Sequence, residues 1–251
     1  MNREHVEAAA SFLIERRSGN IQGDRLPVEL RPLTMEDALA IQKQVMQEIG
    51  DQVGGWKCVL PAGENLNIAP IFSATIYKTS PCPIRLDQGV CRIEPELAFR
   101  FGQDLPVRDS DYSEAEIMAA LAGAHLVLEL IENRYKGSEE ISYLEHLSDN
   151  LYNQGLYLGP EISLDAAIKS KQLDFVLTQG ELTSFQGQHP NQGPILPVLW
   201  MVNFLRQSGI GIRAGQVVTT GSFAGVLDLK PNIPFTLDYS GLDTMSLVLQ
   251  A

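Results

Sequence analysis

Two glutamates separated by one residue form the strongest chemical signal in the sequence. Glu94 and Glu96 lie in the apolar stretch 91–100, whose β-branched Ile93 favours a strand. Residues two apart in a strand share a face, so the carboxylates point the same way, roughly 6.6 Å apart at about 3.3 Å per residue. Such a pair needs a proton, a basic partner or a cation, and Mg²⁺ or Mn²⁺ prefers these oxygen donors.

A structural interpretation fits the same pattern, with both glutamates solvated on an outer strand face. Pro95 stands between them and cannot donate a hydrogen bond to a neighbouring strand, so we expect an edge or a bulge here. The next acidic residues, Glu129 and Glu132, are three apart in a second apolar run and would face opposite ways in a strand. One of them can join the first pair, and Glu132 can instead pair with Arg134 or Lys136.

Three further groups are candidates for chemistry. Lys57 follows the glycines 54–55, which permit close backbone approach, so it can contact an anionic substrate or act as an acid or base. It can equally be an exposed turn lysine. The loop 219–225 offers amides and hydroxyls that can hold a carboxylate, or it is an ordinary strand exit. His125 is predicted to be an interior histidine, and His146 is a weaker candidate for an acid or base.

The composition excludes several classes of protein. A formal net charge of -12 disfavours nonspecific binding to nucleic acid or to an anionic membrane, and an anionic substrate then requires a local cation. The three cysteines form no CxxC pattern, which disfavours a disulfide framework and fits a reducing cytoplasm. The first residues are charged and amphipathic rather than a signal peptide, and no run reaches the ~18 apolar residues that span a bilayer.

The elements that must position these groups change character near residue 55. Residues 4–17 and the segment that begins at Thr34 have helical periodicity, so we expect a small N-terminal helical portion over 1–55. A β-rich body follows over 56–251, which makes the fold class α+β. Two helices are predicted within this body, over 113–122 and 194–208. The predicted strands are 56–60, 90–101, 125–131, 155–158, 173–186, 215–220 and 244–249.

In their order along nearly the whole chain, these segments resemble the hydratase/decarboxylase branch of the fumarylacetoacetate hydrolase superfamily. The strand 93–99 is similar to its VEPEIAF motif and 129–135 to its EIVDSRY motif. The other similar segments are 37–42 (DAYxIQ), 55–57 (GxK), 149–159 (ADNxSxGxFVLG) and 214–222 (AGDxVLTGS).

The resemblance implies a mixed β-roll or sandwich with an N-terminal helical portion, usually in a homo-oligomer. It implies that Glu94, Glu96 and Glu129, rather than Glu132, bind Mg²⁺ or Mn²⁺. It also assigns Lys57 as catalytic. It places substrate-carboxylate binding on the loop that carries Thr220 and Ser222.

The activity implied is that of a hydro-lyase of aromatic compound catabolism, a 2-oxopent-4-enoate hydratase-like enzyme acting on a small 2-oxo-4-enoic acid. The alternatives are a 2-oxo-enedioate decarboxylase, an acylpyruvate hydrolase or a non-catalytic ligand-binding paralogue. The last is raised by two departures from the family pattern: segment 72–77 lacks the usual acidic residue, and Tyr152 stands where hydratases have a serine.

Overall fold

The structure, a computed structural model, describes residues 1–136 and 140–251, and it has the predicted α+β architecture. Within these ranges no helix is both long and apolar enough to cross a membrane. The helices are α1 (Arg3–Gly19), α2 (Met35–Glu48), α3 (Glu114–Ala120), α4 (Tyr143–Ser148), α5 (Leu164–Lys169) and α6 (Ile195–Gln207), with 3-10 turns at Val28–Leu30 and Ser73–Thr75. The strands are β1 (Val53–Cys58), β2 (Ile68–Phe72), β3 (Ile76–Tyr77), β4 (Cys82–Pro83), β5 (Cys91–Phe101), β6 (Leu121–Ile131), β7 (Asn153–Ile162), β8 (Gln172–Gln179), β9 (Glu181–Gln188), β10 (Val217–Thr219), β11 (Leu227–Leu229), β12 (Phe235–Tyr239), β13 (Asp243–Leu247) and β14 (Leu249–Gln250).

The N-terminal helices pack on each other through an apolar face. Thr34 caps α2, and Asp37 completes a capping box, which confirms the predicted start of this helix. Leu13 of α1 and Ile41 of α2 are buried in one cluster with Phe72 of β2. This cluster holds the helical portion against the edge of the main sheet.

The main sheet has eight strands, in the order β2-β1-β10-β5-β6-β7-β3, and β11 also pairs with β5. The strand with the two glutamates, β5, is therefore central rather than at an edge. On one side β10 pairs with residues 98–100 and β11 with residues 91–93, which leaves a gap opposite 94–97. Pro95 lies in this gap, so its missing N–H breaks no ladder there, although the other side pairs with β6.

A second sheet, in the order β13-β12-β8-β9, covers the apolar face of the first. Tyr239 of β12 joins the two, since its Oη donates a hydrogen bond of 2.9 Å to the Val127 carbonyl of β6. The prediction of one continuous strand over 173–186 is wrong, because this segment forms two strands. Gly180, with φ of 82°, turns the chain so that β8 and β9 form a hairpin. The helices α4 and α5 escaped prediction because each has only six residues.

Candidate metal centre and active site

Strand pairing brings three glutamates together. Glu94 of β5 lies directly opposite Glu129 of β6, and Glu96 lies opposite Val127, two residues away on the same face. One carboxylate oxygen from each glutamate lies within 4.8 Å of the others. Glu96 and Glu129 are buried and Glu94 is half-buried. The three ligands assigned from the resemblance therefore converge, although they come from segments more than 30 residues apart.

The chemistry of this cluster fits a divalent cation. Burial, and then the charge of Glu129, raises the pKa of Glu94. Burial, followed by the charges of Glu129 and Glu94, raises the pKa of Glu96 to about 8. Glu129 Oε2 is buried and has no hydrogen-bond partner among the described residues. A free buried carboxylate oxygen beside two others is a donor set that a hard cation would satisfy.

Lys57 of β1 supplies one positive charge to this cluster. Its Nζ lies 2.6 Å from Glu129 Oε1 and donates a hydrogen bond of 3.0 Å to the Leu151 carbonyl. Burial by itself lowers the pKa of Lys57, but the charges of Glu129 and Glu94 outweigh that effect and raise it. When all three carboxylates are ionised, they and the one ammonium leave two negative charges, which a dication would neutralise.

Two neighbouring groups fix the carboxylates. The Gly221 backbone N–H donates a hydrogen bond of 2.9 Å to Glu96 Oε2. Asn153 Nδ2 donates one of 2.9 Å to Glu129 Oε1. Because a ligating carboxylate is oriented by such outer hydrogen bonds, both groups would hold the carboxylates in place for a bound cation.

The loop after β10 is close to the cluster, and its hydroxyls differ in position. Ser222 lines the cavity, and its Oγ lies within hydrogen-bond distance of the carbonyls of Pro95 (3.2 Å) and Gly225 (3.1 Å), so its single proton can go to either. Thr219 also lines the cavity, with a buried hydroxyl that has no partner among the described residues. Thr220, the residue after β10, is buried too and its hydroxyl also has no partner among the described residues, but it does not line the cavity.

A strained turn faces the cluster from the far side. Asn150, Leu151 and Tyr152 have φ of 61°, 49° and 65°, the left-handed region that costs about 1–2 kcal/mol per non-glycine residue. The strain persists because the surroundings hold the turn. Arg134, fully buried, binds both carboxylate oxygens of Asp149 (3.0 and 2.9 Å) and its carbonyl (2.7 Å). The turn aims the Leu151 carbonyl at the lysine and projects Tyr152 into the cavity.

The cavity has a volume of about 520 Å³ and two kinds of wall. The polar lining holds the three carboxylates and Lys57. Tyr152 and His146 also line the cavity: Tyr152 Oη lies 2.8 Å from His146 Nε2, and the two rings stack with centroids 4.2 Å apart. Burial lowers the pKa of His146 and raises that of Tyr152, so each favours its neutral form. The apolar lining consists of Val59, Ile131, Leu151, Pro190 and Val226.

The remaining sequence predictions fall outside the cluster. Glu132 pairs with Arg134 (3.2 Å), one of its two predicted partners, and also with Arg85 (3.5 Å). His125 is half-buried, and its Nδ1 lies 3.1 Å from the Gly159 carbonyl, as an interior histidine would. Sequence reasoning included Thr219 only as part of the loop 219–225, and it missed Asn153 and the Leu151 carbonyl. A threonine or an asparagine in a strand carries no local signal of such a role.

The relatives that the sequence comparison found are named as hydratases. A 2-keto-4-pentenoate hydratase of Dechloromonas aromatica is 24% identical over 162 residues, 62% of this chain and 59% of the relative. The chain thus aligns with somewhat more than half the length of that relative. A 2-oxo-hept-4-ene-1,7-dioate hydratase of Escherichia coli is 24% identical over 85% of this chain and 86% of its own length. No family model matches the chain.

Solved structures share the fold. The 4-oxalocrotonate decarboxylase from Pseudomonas putida G7, complexed with magnesium and adipate, superposes with a TM-score of 0.81 at 20% identity, over 99% of this chain and 98% of that one. A fumarylacetoacetate hydrolase family protein from Yersinia pestis superposes with a TM-score of 0.54 at 19% identity, over 80% and 94%. Together these comparisons confirm the predicted resemblance in sequence and fold.

Proposed function

We propose that this chain, which has the fold of the fumarylacetoacetate hydrolase superfamily, is a divalent-metal-dependent hydratase of a small 2-oxo-4-enoic acid. The observation that carries the proposal is the convergence of Glu94, Glu96 and Glu129 beside Lys57 in one cavity. Hydratases among the relatives and a magnesium-complexed structural neighbour support it. Glu94, Glu96 and Glu129 would hold Mg²⁺ or Mn²⁺, which supplies Lewis-acid stabilisation of an enolate when bound.

The protein's own groups provide binding and charge. The Lys57 ammonium would offset the negative charge that develops on the 2-oxo oxygen, and its contacts with Glu129 and the Leu151 carbonyl hold it beside the carboxylates. The substrate carboxylate would be held by the loop after β10, through Ser222 and the buried hydroxyl of Thr219, which has no partner among the described residues. Thr220 lies between them in the chain, buried outside the cavity lining. Positioning of the conjugated chain then exposes its carbon 4 to water.

The apolar wall selects the rest of the substrate. Val59, Pro190 and Val226 are apolar residues of the cavity lining, and Val59 and Pro190 pack beside Gly221. A hydrocarbon tail gains about 25 cal/mol per Å² of apolar surface buried there, whereas a second carboxylate would lose hydration. This cavity therefore favours a substrate with an uncharged tail. That preference supports hydration of a monocarboxylate over decarboxylation of an enedioate.

The test is direct. The ultraviolet absorbance of 2-hydroxypenta-2,4-dienoate is followed with the metal-free protein, and then with Mg²⁺ or Mn²⁺ added. We expect loss of the dienol only with the ion, with 4-hydroxy-2-oxopentanoate as product and no release of carbon dioxide from 2-oxohex-3-enedioate. Turnover that persists in excess chelator, or its absence with every divalent ion tried, would refute the proposal. Glu129→Gln should abolish the metal-dependent turnover. Its matched control is Glu181→Gln, at an exposed residue of β9, which should keep it.

A further inference from the structure

Hydration needs a group that moves a proton. In the proposed function Glu94, Glu96 and Glu129 would bind the ion, and the Lys57 ammonium is paired with Glu129. Glu129 is held by Lys57 and Asn153, and Glu96 by the Gly221 amide. Another tyrosine of the cavity, Tyr143, is also committed, since its Oη donates to the Leu66 carbonyl at 2.7 Å. The proton-transfer group must therefore lie elsewhere on the cavity wall.

We propose that Tyr152 and His146 form the proton-transfer pair of this site, with Tyr152 Oη contacting the substrate and His146 Nε2 as the base behind it. The inference rests on the proposed function. Its basis is geometric: the two atoms are 2.8 Å apart, and both residues line the same cavity as the carboxylates. Tyr135 packs edge-on against the imidazole, with centroids 5.6 Å apart, and so fixes the ring plane.

The strained turn is what aims this pair. Left-handed φ values at Asn150, Leu151 and Tyr152 send two successive groups toward the site, the Leu151 carbonyl to Lys57 and the Tyr152 ring to His146. Strain of this kind gathers at functional sites, where the surrounding structure holds it in place. One turn thus positions the Lys57 ammonium and the Tyr152 hydroxyl relative to each other.

The proton balance of hydration closes within the pair. The pair first moves a proton of the 2-oxo-4-enoate from carbon 3 to carbon 5, which gives the conjugated 2-oxo-3-enoate. As the water oxygen then bonds to carbon 4, the π electrons between carbons 3 and 4 move toward the 2-oxo group. The water proton passes to Tyr152 Oη, whose own proton passes to His146 Nε2. The imidazolium then returns that proton through Tyr152 to carbon 3. The product is a 4-hydroxy-2-oxo acid, and both side chains end neutral.

The test uses proton exchange at carbon 3, which does not depend on the natural substrate. Wild-type protein with Mg²⁺ and 2-oxopentanoate in D₂O should exchange the carbon-3 protons, as followed by NMR. Tyr152→Phe should slow the exchange by about 100-fold or more, while calorimetry shows Mg²⁺-dependent oxalate affinity unchanged. In His146→Ala the exchange rate should fall about 10-fold or more, and added imidazole should restore it. Tyr112→Phe removes a hydroxyl bound to the remote Pro106 carbonyl and should behave as wild type.

Each other outcome counts against the pair. Undiminished exchange in Tyr152→Phe overturns it, and so does a parallel loss of exchange and oxalate affinity, which would mean a merely structural role. Failure of imidazole to restore exchange in His146→Ala overturns the assignment of the base. A wild type that binds oxalate without exchange overturns the pair alone. A wild type that binds no oxalate with Mg²⁺ overturns the proposed function and the pair with it.

Discussion

Replacing Glu96 with glutamine should stabilise the metal-free protein while it destroys the metal site. The raised pKa of Glu96, about 8 against 4.5 in an unfolded chain, means that the folded state binds this proton more tightly. Stability from that proton is fully present below pH 4.5 and is lost as pH rises through 8. At pH 7 the loss amounts to about 3 kcal/mol at 1.36 kcal/mol per pKa unit. Glutamine is neutral and can still accept from the Gly221 amide, so we expect a gain of about 1–3 kcal/mol.

The assay is urea unfolding followed by fluorescence, in chelator, at pH 5 and pH 7. The gain should be larger at pH 7 than at pH 5, because ionisation of Glu96 in the unfolded chain, with its pKa of 4.5, favours unfolding more strongly at pH 7. With Mg²⁺ at about 100 times its dissociation constant, the wild type should gain about 2.7 kcal/mol, and Glu96→Gln should gain nothing measurable.

The exposed Glu181→Gln variant is the control. It should follow the wild type in chelator and in Mg²⁺, at both pH values. Two results would refute the reasoning. If Glu96→Gln were less stable than the wild type at pH 7 without metal, burial and the neighbouring carboxylates would not raise the pKa of Glu96. If Mg²⁺ stabilised the variant as strongly as the wild type, Glu96 would not be a ligand.

Three other predictions concern the support of the site and its substrate. Arg134→Met leaves the buried Asp149 carboxylate without its partner, and urea unfolding should show a loss of about 3–5 kcal/mol; a loss under about 1 kcal/mol would contradict the role of this pair. Burial lowers the pKa of His189 to about 4, so stability present above pH 6.5 is lost as pH falls toward 4, and thermal melts of His189→Gln should lack this acid-side slope. Because Val59 and Val226 form an apolar wall, 2-oxopentanoate should inhibit turnover at lower concentration than 2-oxoglutarate, and the reverse order would refute an uncharged tail.

Local patterns predicted the elements well where the signal was strong. The capping boxes at Thr34 and Ser113 mark the true starts of α2 and α3, since each satisfies backbone N–H groups within one turn. Patterns failed where neighbours decide the outcome. Pro95 indicated an edge, yet β5 is central, because only the pairing of β10 and β11 reveals the gap that accommodates the proline.

The sequence by itself determined which side chains were available and that Glu94 and Glu96 share a face, because strand alternation is a local property of the backbone. Family motifs added Glu129 and Lys57 as expectations. Only the tertiary structure decided that Glu129 lies opposite Glu94, and that a left-handed turn at Tyr152 faces them. Register between strands and the aim of a strained turn depend on packing between segments far apart in the chain, and periodicity within one segment carries no record of that packing.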